Sequence, residues 1–295
     1  MEWLAFTDEM NTIVPDGAVL ERLGTGYKFL EGPVWDDTNH CLYFSDIPAD
    51  TIYRWSAAGG FSVFRSPSLN ANGLTLDGQG RLLACEHSGR KLSRGEADGT
   101  VTALASHYGG KRLNSPNDVV VHADGSIYFT DPPYGLNNVS EEKELLFQGV
   151  YRYNPETEGL RLLADDFDKP NGLAFSPDKR KLYVDDTGRD HVRVFDVTGA
   201  GDLVNGSIFA EIDPDAGRGG LDGMKTDLQG RLYVTGHGGV WIISPSGEKI
   251  GVIKTPEIAA NLAWGEDGQT LFVTASTSLY KVRLNVLGML AGRQA

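Results

Sequence analysis

The chain has 295 residues, of which 40 are acidic and 27 are basic, so its formal net charge is −13 at pH 7. This balance disfavours non-specific binding to nucleic acid or to an anionic membrane surface. The sequence has no basic start followed by an apolar run, and no stretch approaches the ~18 apolar residues of a membrane span, so we predict neither a signal peptide nor a transmembrane segment. Cys41 and Cys85 lie in separate strand patterns, which is typical of buried thiols and favours a cytoplasmic location.

In chain order, residues 1–17 are predicted to form an irregular lead, and residues 19–23 (V-L-E-R-L) a short strand. The rest of the chain repeats one unit. Each copy has an alternating apolar run, a turn rich in Gly, Asp or Pro, and a second apolar run, which is the pattern of a β-hairpin. The six copies begin at Glu31, Asn72, Asn117, Asn171, Asp222 and Asn261.

Successive copies begin 39 to 54 residues apart and show no helical period, which indicates a β-propeller with one blade per copy. Two more strand patterns follow the hairpin in the first five copies, but only one follows it in the sixth. We therefore predict an all-β, six-bladed propeller with four-stranded antiparallel blades, formed by residues 1–295 as a single domain. The strand at 19–23 is predicted to close the last blade, which removes two open sheet edges.

Strand direction predicts where a functional site lies. The first residue of each copy opens the innermost strand, and the hairpin returns the end of the second strand beside it. The long insertions at residues 106–116, 132–149 and 211–221 fall in connections on that same face. Because binding and catalytic residues concentrate on loops, we expect the site on this face.

The six opening residues all carry side-chain oxygens and are predicted to converge on the central channel. Converging carboxylates and amides would repel each other or stay unpaired, so a bound cation is predicted. This donor set suits Ca²⁺ best, with Mg²⁺ or Mn²⁺ next and Zn²⁺ less natural. The alternative is that these Asn-Gly and Asp-Gly pairs are only turn residues before strands. Asn72 and Asn261 are the first candidates for that alternative, since four side chains and water already suffice.

The same motifs resemble the SMP-30/gluconolactonase/luciferin-regenerating-enzyme family, whose members are calcium-dependent, six-bladed propeller hydrolases that open lactones. The resemblance covers about residues 19 to 285 and includes the S-P-N-D form found in bacterial gluconolactonase-like members. It implies metal ligands at Glu31, Asn117, Asn171 and Asp222. The matching motifs are E-G-P-V-W, S-P-N-D-V-V-V, P-N-G-L-A-F-S-P-D and L-D-G-M-K-T-D.

Lactone chemistry suggests roles for these residues. A divalent cation with open positions polarises a carbonyl oxygen and stabilises the oxyanion formed when water attacks. The water needs a base, and we predict Asp222, which is consistent with the family, while Glu31 mainly balances the cation's charge. The predicted reaction is hydrolysis of a sugar lactone, such as glucono-1,5-lactone, to the aldonic acid.

Residues near the opening positions are candidates for substrate binding. Asn117 is one, and Ser115 is another, because animal members of the family carry a substrate-contacting Arg at that place. His87 and His237 follow second strands and are predicted to bind sugar hydroxyls or assist proton transfer, although an isolated loop His is more often a plain hydrogen-bonding residue.

The insertion at 132–149 offers Tyr134 and Phe147 as a lid over the substrate, or as side chains that pack the loop down. Asp131 and Asp186 have open roles, with loop fixing through backbone hydrogen bonds as the simplest.

Two other functions remain open from the sequence. Related phosphotriesterase-type propellers use a similar oxygen-ligated calcium ion together with a second, structural calcium. A non-catalytic propeller would bind a protein at its rim, but WD and kelch signatures are absent. The predicted partner is a small-molecule lactone, with no nucleic acid and no membrane, and the predicted state is a monomer or a homodimer.

Overall fold

Six antiparallel sheets form the blades of a propeller in the computed structural model, which describes residues 2–136 and 142–291. The innermost strands contact one another in sequence from blade one to blade six, and the last one contacts the first, so the ring is closed. This confirms the predicted six-bladed, all-β fold. In the described part of the chain, no helix has the length and apolar character needed to cross a membrane.

Within the described residues, the lead and the first three blades contain the strands β1–β16, one α-helix and one 3₁₀ turn. The lead holds β1 (Trp3–Ala5), α1 (Met10–Ile13) and β2 (Glu21–Thr25). Blade one holds β3 (Leu30–Asp36), β4 (Cys41–Asp46), a 3₁₀ turn (Ile47–Ala49), β5 (Thr51–Ser56) and β6 (Gly60–Arg65). Blade two holds β7 (Ala71–Leu76), β8 (Leu82–Glu86), β9 (Lys91–Gly95) and β10 (Val101–Ala105), followed by a small hairpin of β11 (His107–Tyr108) and β12 (Lys111–Arg112). Blade three holds β13 (Val119–Val121), β14 (Ile127–Asp131), β15 (Gln148–Asn154) and β16 (Gly159–Phe167).

The last three blades follow the same order. Blade four holds β17 (Pro170–Phe175), β18 (Lys181–Asp186), β19 (His191–Val197) and β20 (Leu203–Glu211), and a 3₁₀ turn (Pro214–Ala216) follows it. Blade five holds β21 (Met224–Thr226), β22 (Leu232–Gly236), β23 (Gly239–Ile243) and β24 (Lys249–Lys254). Blade six holds β25 (Ala259–Gly265), β26 (Thr270–Ala275) and β27 (Ser278–Arg283).

Blade six is completed by β2 from the start of the chain, as the sequence predicted. β2 pairs antiparallel with β27, in a register that places Glu21 opposite Lys281 and Thr25 opposite Ser278. The observed strand begins and ends two residues later than the predicted 19–23. Val19 is instead 67% exposed, because it precedes the paired segment.

The predicted irregular lead over residues 1–17 is wrong for part of its length. Trp3–Ala5 form β1, which pairs with β24 and adds a fifth strand to blade five. Met10 and Ile13 of α1 are fully buried in the cluster that joins blades five, six and one. A three-residue strand and a one-turn helix are too short to produce a recognisable hydrophobic period, which is why the sequence pattern missed them.

Glycines bring the innermost strands close together. In four blades the residue after the opening position is glycine, and an added methyl group would overlap an atom of the neighbouring blade. At Gly172 the overlap is with the Asp222 carbonyl oxygen, and at Gly73 with the Asn117 carbonyl oxygen. The Gly73 amide also donates to that Asn117 oxygen at 2.8 Å. These glycines therefore set the spacing at which the polar side chains meet.

The C-terminal segment, residues 284–291, crosses the opposite face of the ring. The Asn285 amide donates to the Ile13 carbonyl at 2.9 Å, and the Met289 amide donates to the Thr226 carbonyl at 3.1 Å. Leu290, within this segment, is buried. The segment thus joins blade six to the lead and to blade five at the end of the channel remote from the opening residues.

Candidate active site

The structure brings the six opening residues together at one mouth of the central channel. The Asn72 side-chain amide donates to Asn117 Oδ1 at 2.6 Å, and the Asn117 amide donates to Asn171 Oδ1. On the other side, Asn261 Nδ2 donates to Glu31 Oε2 at 2.9 Å. We call this set the site ring: Glu31, Asn72, Asn117, Asn171, Asp222 and Asn261.

Thr187 extends the chain of side-chain amides from Asn171 toward Asp222. Asn171 Nδ2 donates to Thr187 Oγ1 at 3.1 Å, and that hydroxyl donates to the Leu221 carbonyl at 2.7 Å. Leu221 directly precedes Asp222, so the amide chain ends beside the predicted base. Asn72 and Asn261 belong to this network, so in the structure they are more than turn residues.

The carboxyl groups of Glu31 and Asp222 are hydrogen bonded to each other. The pKa of Glu31 is raised to about 7, mainly by burial and to a smaller extent by the negative charge of Asp118. The pKa of Asp222 is held well above its usual range. Burial is the largest cause, and the negative charges of Glu31 and Asp185 come next. Two carboxyl groups this close cannot both be ionised unless a cation lies between them, so without one they share a proton.

Two further acids, Asp118 and Asp185, lie beneath the site ring, and sequence reasoning missed both. They are buried at 3% and 0% exposure, and burial raises the pKa of each. Neither oxygen of Asp185 makes a hydrogen bond of normal geometry, although the Gly172 amide lies close by. For Asp185 the missed signal was an acidic residue inside a strand in which only the first position is exposed.

The donor set of the site ring fits a hard cation. The Glu31 and Asp222 carboxyls need a positive charge to ionise together, and Asn72 Oδ1 is buried without a partner. In the described residues, no three acidic, His or Cys side chains form a preformed metal cluster. The predicted ligand set therefore depends on amide oxygens, and Asn117 and Asn171 would have to turn theirs from the neighbouring amides toward the channel.

His87 lies behind the site ring. Its Nε2 is 3.2 Å from both Asn72 Nδ2 and Asn117 Oδ1, and its side chain is covered by Gly135 of the insertion. Burial lowers its pKa to about 4, so the imidazole is neutral at neutral pH. In this position His87 orients the two amides.

The 132–149 insertion is fastened beside the site ring by Ser115. The Ser115 hydroxyl is fully buried, donates to the Pro132 carbonyl at 2.6 Å and accepts from the Gly135 amide at 2.9 Å. These two hydrogen bonds fix the start of the insertion in place. Residues 137–141 of the predicted insertion lie outside the described residues.

Tyr134 stands over the channel mouth, whereas Phe147 packs its loop down. The Tyr134 hydroxyl lies close to Thr187 and in the field of Asp222, and burial of this hydroxyl raises its pKa. The Tyr134 side chain is nevertheless 42% exposed. The Phe147 ring lies edge-on to Tyr108 at 6.5 Å.

His237 lies on the rim of blade five rather than in the site ring. Its Nε2 is 2.8 Å from Asp190 Oδ1, and both side chains are partly exposed. Asp186, whose role was left open, accepts hydrogen bonds from the backbone amides of Asp168 and Lys169 at 2.9 Å each. Asp131 likewise accepts from the Asn114 amide at 2.8 Å.

Comparison with known proteins supplies the context of this site. Residues 29–277 match the family model described as SMP-30/Gluconolactonase/LRE-like region. The gluconolactonase of Zymomonas mobilis is 33% identical, over 96% of this chain and 86% of that protein. The solved gluconolactonase of Xanthomonas campestris superposes with a TM-score of 0.89 at 34% identity, covering 96% of this chain and 95% of that one. A calcium-binding regucalcin of Agrobacterium tumefaciens has the same fold, with a TM-score of 0.79 at 18% identity, covering 94% of this chain and 98% of that one.

Proposed function

Because the chain belongs to the SMP-30/Gluconolactonase/LRE-like family and is a lactone-hydrolysing enzyme, we propose that it opens a sugar lactone, such as glucono-1,5-lactone, at the site ring. The gluconolactonases of Zymomonas and Xanthomonas support this substrate class, since each aligns with nearly the whole chain. The observation that carries the mechanism is the buried, hydrogen-bonded pair of Glu31 and Asp222.

The same proposal assigns a divalent cation, with Ca²⁺ preferred, to four side chains of the site ring. When bound there, the cation would polarise the lactone carbonyl and offset the negative charge that develops on its oxygen. Glu31 contributes mainly charge balance, and Asn261 fixes its orientation through Oε2. A calcium-binding regucalcin with this fold is consistent with the choice of ion. The ligands are Glu31, Asn117, Asn171 and Asp222.

Asp222 is the proposed general base. It opens the innermost strand of blade five and keeps part of its surface exposed to the channel mouth, so a water molecule can reach it. A bound cation would let Asp222 ionise beside Glu31, and an ionised carboxylate can accept a proton from water. It takes the proton of the water that attacks the carbonyl carbon.

The hydrolysis needs no reactant other than the lactone and water. The water oxygen bonds to the carbonyl carbon, the bond from that carbon to the ring oxygen breaks, and the proton held by Asp222 passes to the departing oxygen. The product is an aldonic acid. Contacts to the sugar hydroxyls are assigned to Asn117 and Tyr134 at the mouth, with His87, Ser115 and His237 as the remaining candidates.

A pH-stat assay on a panel of substrates tests the proposal. The panel contains aldonolactones, aryl esters and a phosphotriester, each measured with and without chelator and after addition of Ca²⁺, Mg²⁺, Mn²⁺ or Zn²⁺. We expect acid release from an aldonolactone that chelator abolishes and Ca²⁺ restores. Full turnover after complete removal of metal would overturn the cation's role, and faster cleavage of the phosphotriester would favour the phosphotriesterase alternative.

The remaining expectations belong to the same proposal. Residues 1–295 form one domain, the protein is a monomer or a homodimer, and it acts on a small molecule in the cytoplasm without nucleic acid or membrane. Absence of turnover on every lactone and ester in the panel would instead support the non-catalytic binding propeller.

A further inference from the structure

The channel has a second cavity at the end remote from the site ring. It has a volume of about 470 Å³, and all six innermost strands and residues 289–291 of the C-terminal segment line it. Asn117 lies two residues before β13, and Val121, four residues further along, lines this cavity. At a rise of about 3.3 Å per residue the two ends lie roughly 13 Å apart. We call this space the distal cavity.

The walls of the distal cavity are mainly apolar. Apolar residues make up most of the lining, including Leu76, Phe175 and Trp264, and Leu290 lines it from the C-terminal segment. The volume falls within the ~300–1,000 Å³ typical of small-molecule sites and far exceeds that needed for a single ion. An apolar body of several carbon atoms therefore fits better than a small inorganic solute.

Two ammonium groups interrupt these apolar walls. Lys179 is partly buried, and its Nζ lies 5.4 Å from the centre of the Phe175 ring. Lys225 Nζ donates to the Met224 carbonyl at 2.9 Å. Within the described residues, neither lysine forms an ion pair within 4.0 Å of a carboxylate. Lys225 also lies in the field of the buried Asp118 carboxyl, so its charge is partly offset. Two ammonium groups at one apolar cavity still favour an anionic ligand.

The other ionisable groups that line the distal cavity are already engaged. His122 Nδ1 is 3.0 Å from Asp124 Oδ1. Asp178 is the only acidic residue among the described lining residues, and its Oδ1 accepts from Ser176 Oγ at 2.6 Å. The lysines are thus the groups left to recognise a ligand.

We propose that the distal cavity binds an amphipathic monocarboxylate, with a straight hydrocarbon chain of about eight carbons among the apolar walls and its carboxylate at Lys179 and Lys225. Each added CH₂ that leaves water should raise the affinity about fourfold. Each ammonium–carboxylate contact in this partly buried setting should contribute about tenfold. The site is distinct from the site ring, because it lies at the other end of the channel.

Isothermal titration of the full-length protein with octanoate tests this site. We expect saturable 1:1 binding, weaker binding of hexanoate by about tenfold or more, and weaker binding of octan-1-ol by at least about tenfold, because the alcohol lacks the charge. Trp35 and Trp264 line the cavity, so tryptophan fluorescence should change on binding. Lys179→Met and Lys225→Met should each weaken octanoate binding about tenfold.

Lys249→Met is the matched control. Its ammonium also lies over an aromatic ring, Trp241, at 5.6 Å, but it is outside the distal cavity, so octanoate binding should be unchanged. Equal affinities for octanoate and octan-1-ol, no octanoate binding at millimolar concentration, or lysine variants that bind like wild type would each overturn the proposal. If Lys225→Met does not fold, as judged by circular dichroism, Lys179→Met on its exposed turn decides the question.

Discussion

Glu31 and Asp222 lie on blades one and five, yet their carboxyl groups are hydrogen bonded across the mouth of the channel. The contact exists because ring closure places the openings of the innermost strands around one axis. It also concentrates negative charge where solvent is largely excluded. The proposed reaction therefore depends on closure of the ring, because closure brings these two carboxyl groups together.

The first prediction concerns the proposed base. Asp222→Asn keeps the size of the side chain and an oxygen ligand but removes the proton acceptor, so kcat should fall by about 10²- to 10⁴-fold. Calcium binding, measured by titration calorimetry, should weaken but persist. Asp215→Asn, on an exposed part of the 211–221 loop, is the control and should keep wild-type kcat. Near-native turnover by Asp222→Asn would remove Asp222 from the role of base.

The second prediction concerns the spacing between blades. Gly172→Ala places a methyl group against the Asp222 carbonyl oxygen, so blades four and five must separate. We expect a loss of about 1 to 3 kcal/mol in the free energy of unfolding, as for other overpacking changes, together with weaker calcium binding. Gly199→Ala, which has open space around it, should change neither quantity. Urea unfolding with and without Ca²⁺ measures both effects.

The third prediction concerns Tyr134. Tyr134→Phe removes the hydroxyl that lies close to Thr187 and Asp222. If that hydroxyl contacts the sugar, KM should rise about three- to tenfold while kcat changes little, since a single hydrogen bond of this size is lost. Tyr108→Phe, in the packed hairpin of the neighbouring insertion, should leave both parameters unchanged. An unchanged KM in Tyr134→Phe would assign the hydroxyl to loop packing alone.

The fourth prediction concerns pH. Burial raises the pKa of Asp131 to about 7, so the folded protein holds a proton there that the unfolded chain has already released above about pH 4. The contribution of Asp131 to the free energy of unfolding is therefore fully present at low pH. It is lost as the pH rises toward 7. Relative to Asp131→Asn, the wild type should lose up to about 1.4 kcal/mol per pH unit in that window.

Urea unfolding at several pH values between 5 and 8, in saturating Ca²⁺ to hold the site ring constant, measures this slope. Asp16→Asn, an exposed change that removes the same charge, should retain the wild-type slope. Parallel profiles for wild type and Asp131→Asn would contradict the assignment.

The repeat made the architecture predictable from the sequence. A period-two pattern recurring six times specifies both the blades and the direction of their innermost strands, and that direction places Glu31 and Asp222 at the same mouth. The completion of blade six by an N-terminal strand followed from counting strands. These inferences succeeded because each depends on backbone geometry that all copies share.

Features outside the repeat were not predictable in the same way. Asp118 and Asp185 stand at repeat positions where the other copies carry no acid, so the repeat itself does not mark them as part of the site. The β1 strand depends on a free edge of blade five that exists only once the ring has formed. The distal cavity likewise depends on where the C-terminal segment crosses, a tertiary relationship without a local signal.

The pairing of β2 with β27 has a consequence for biosynthesis. An N-terminal strand that completes the final blade must remain unpaired on the ribosome until nearly the whole polypeptide has emerged, with its edge open to other chains. Nascent protein therefore keeps an open edge until β27 is available, and the pairing of β2 with β27 is the event that closes the ring.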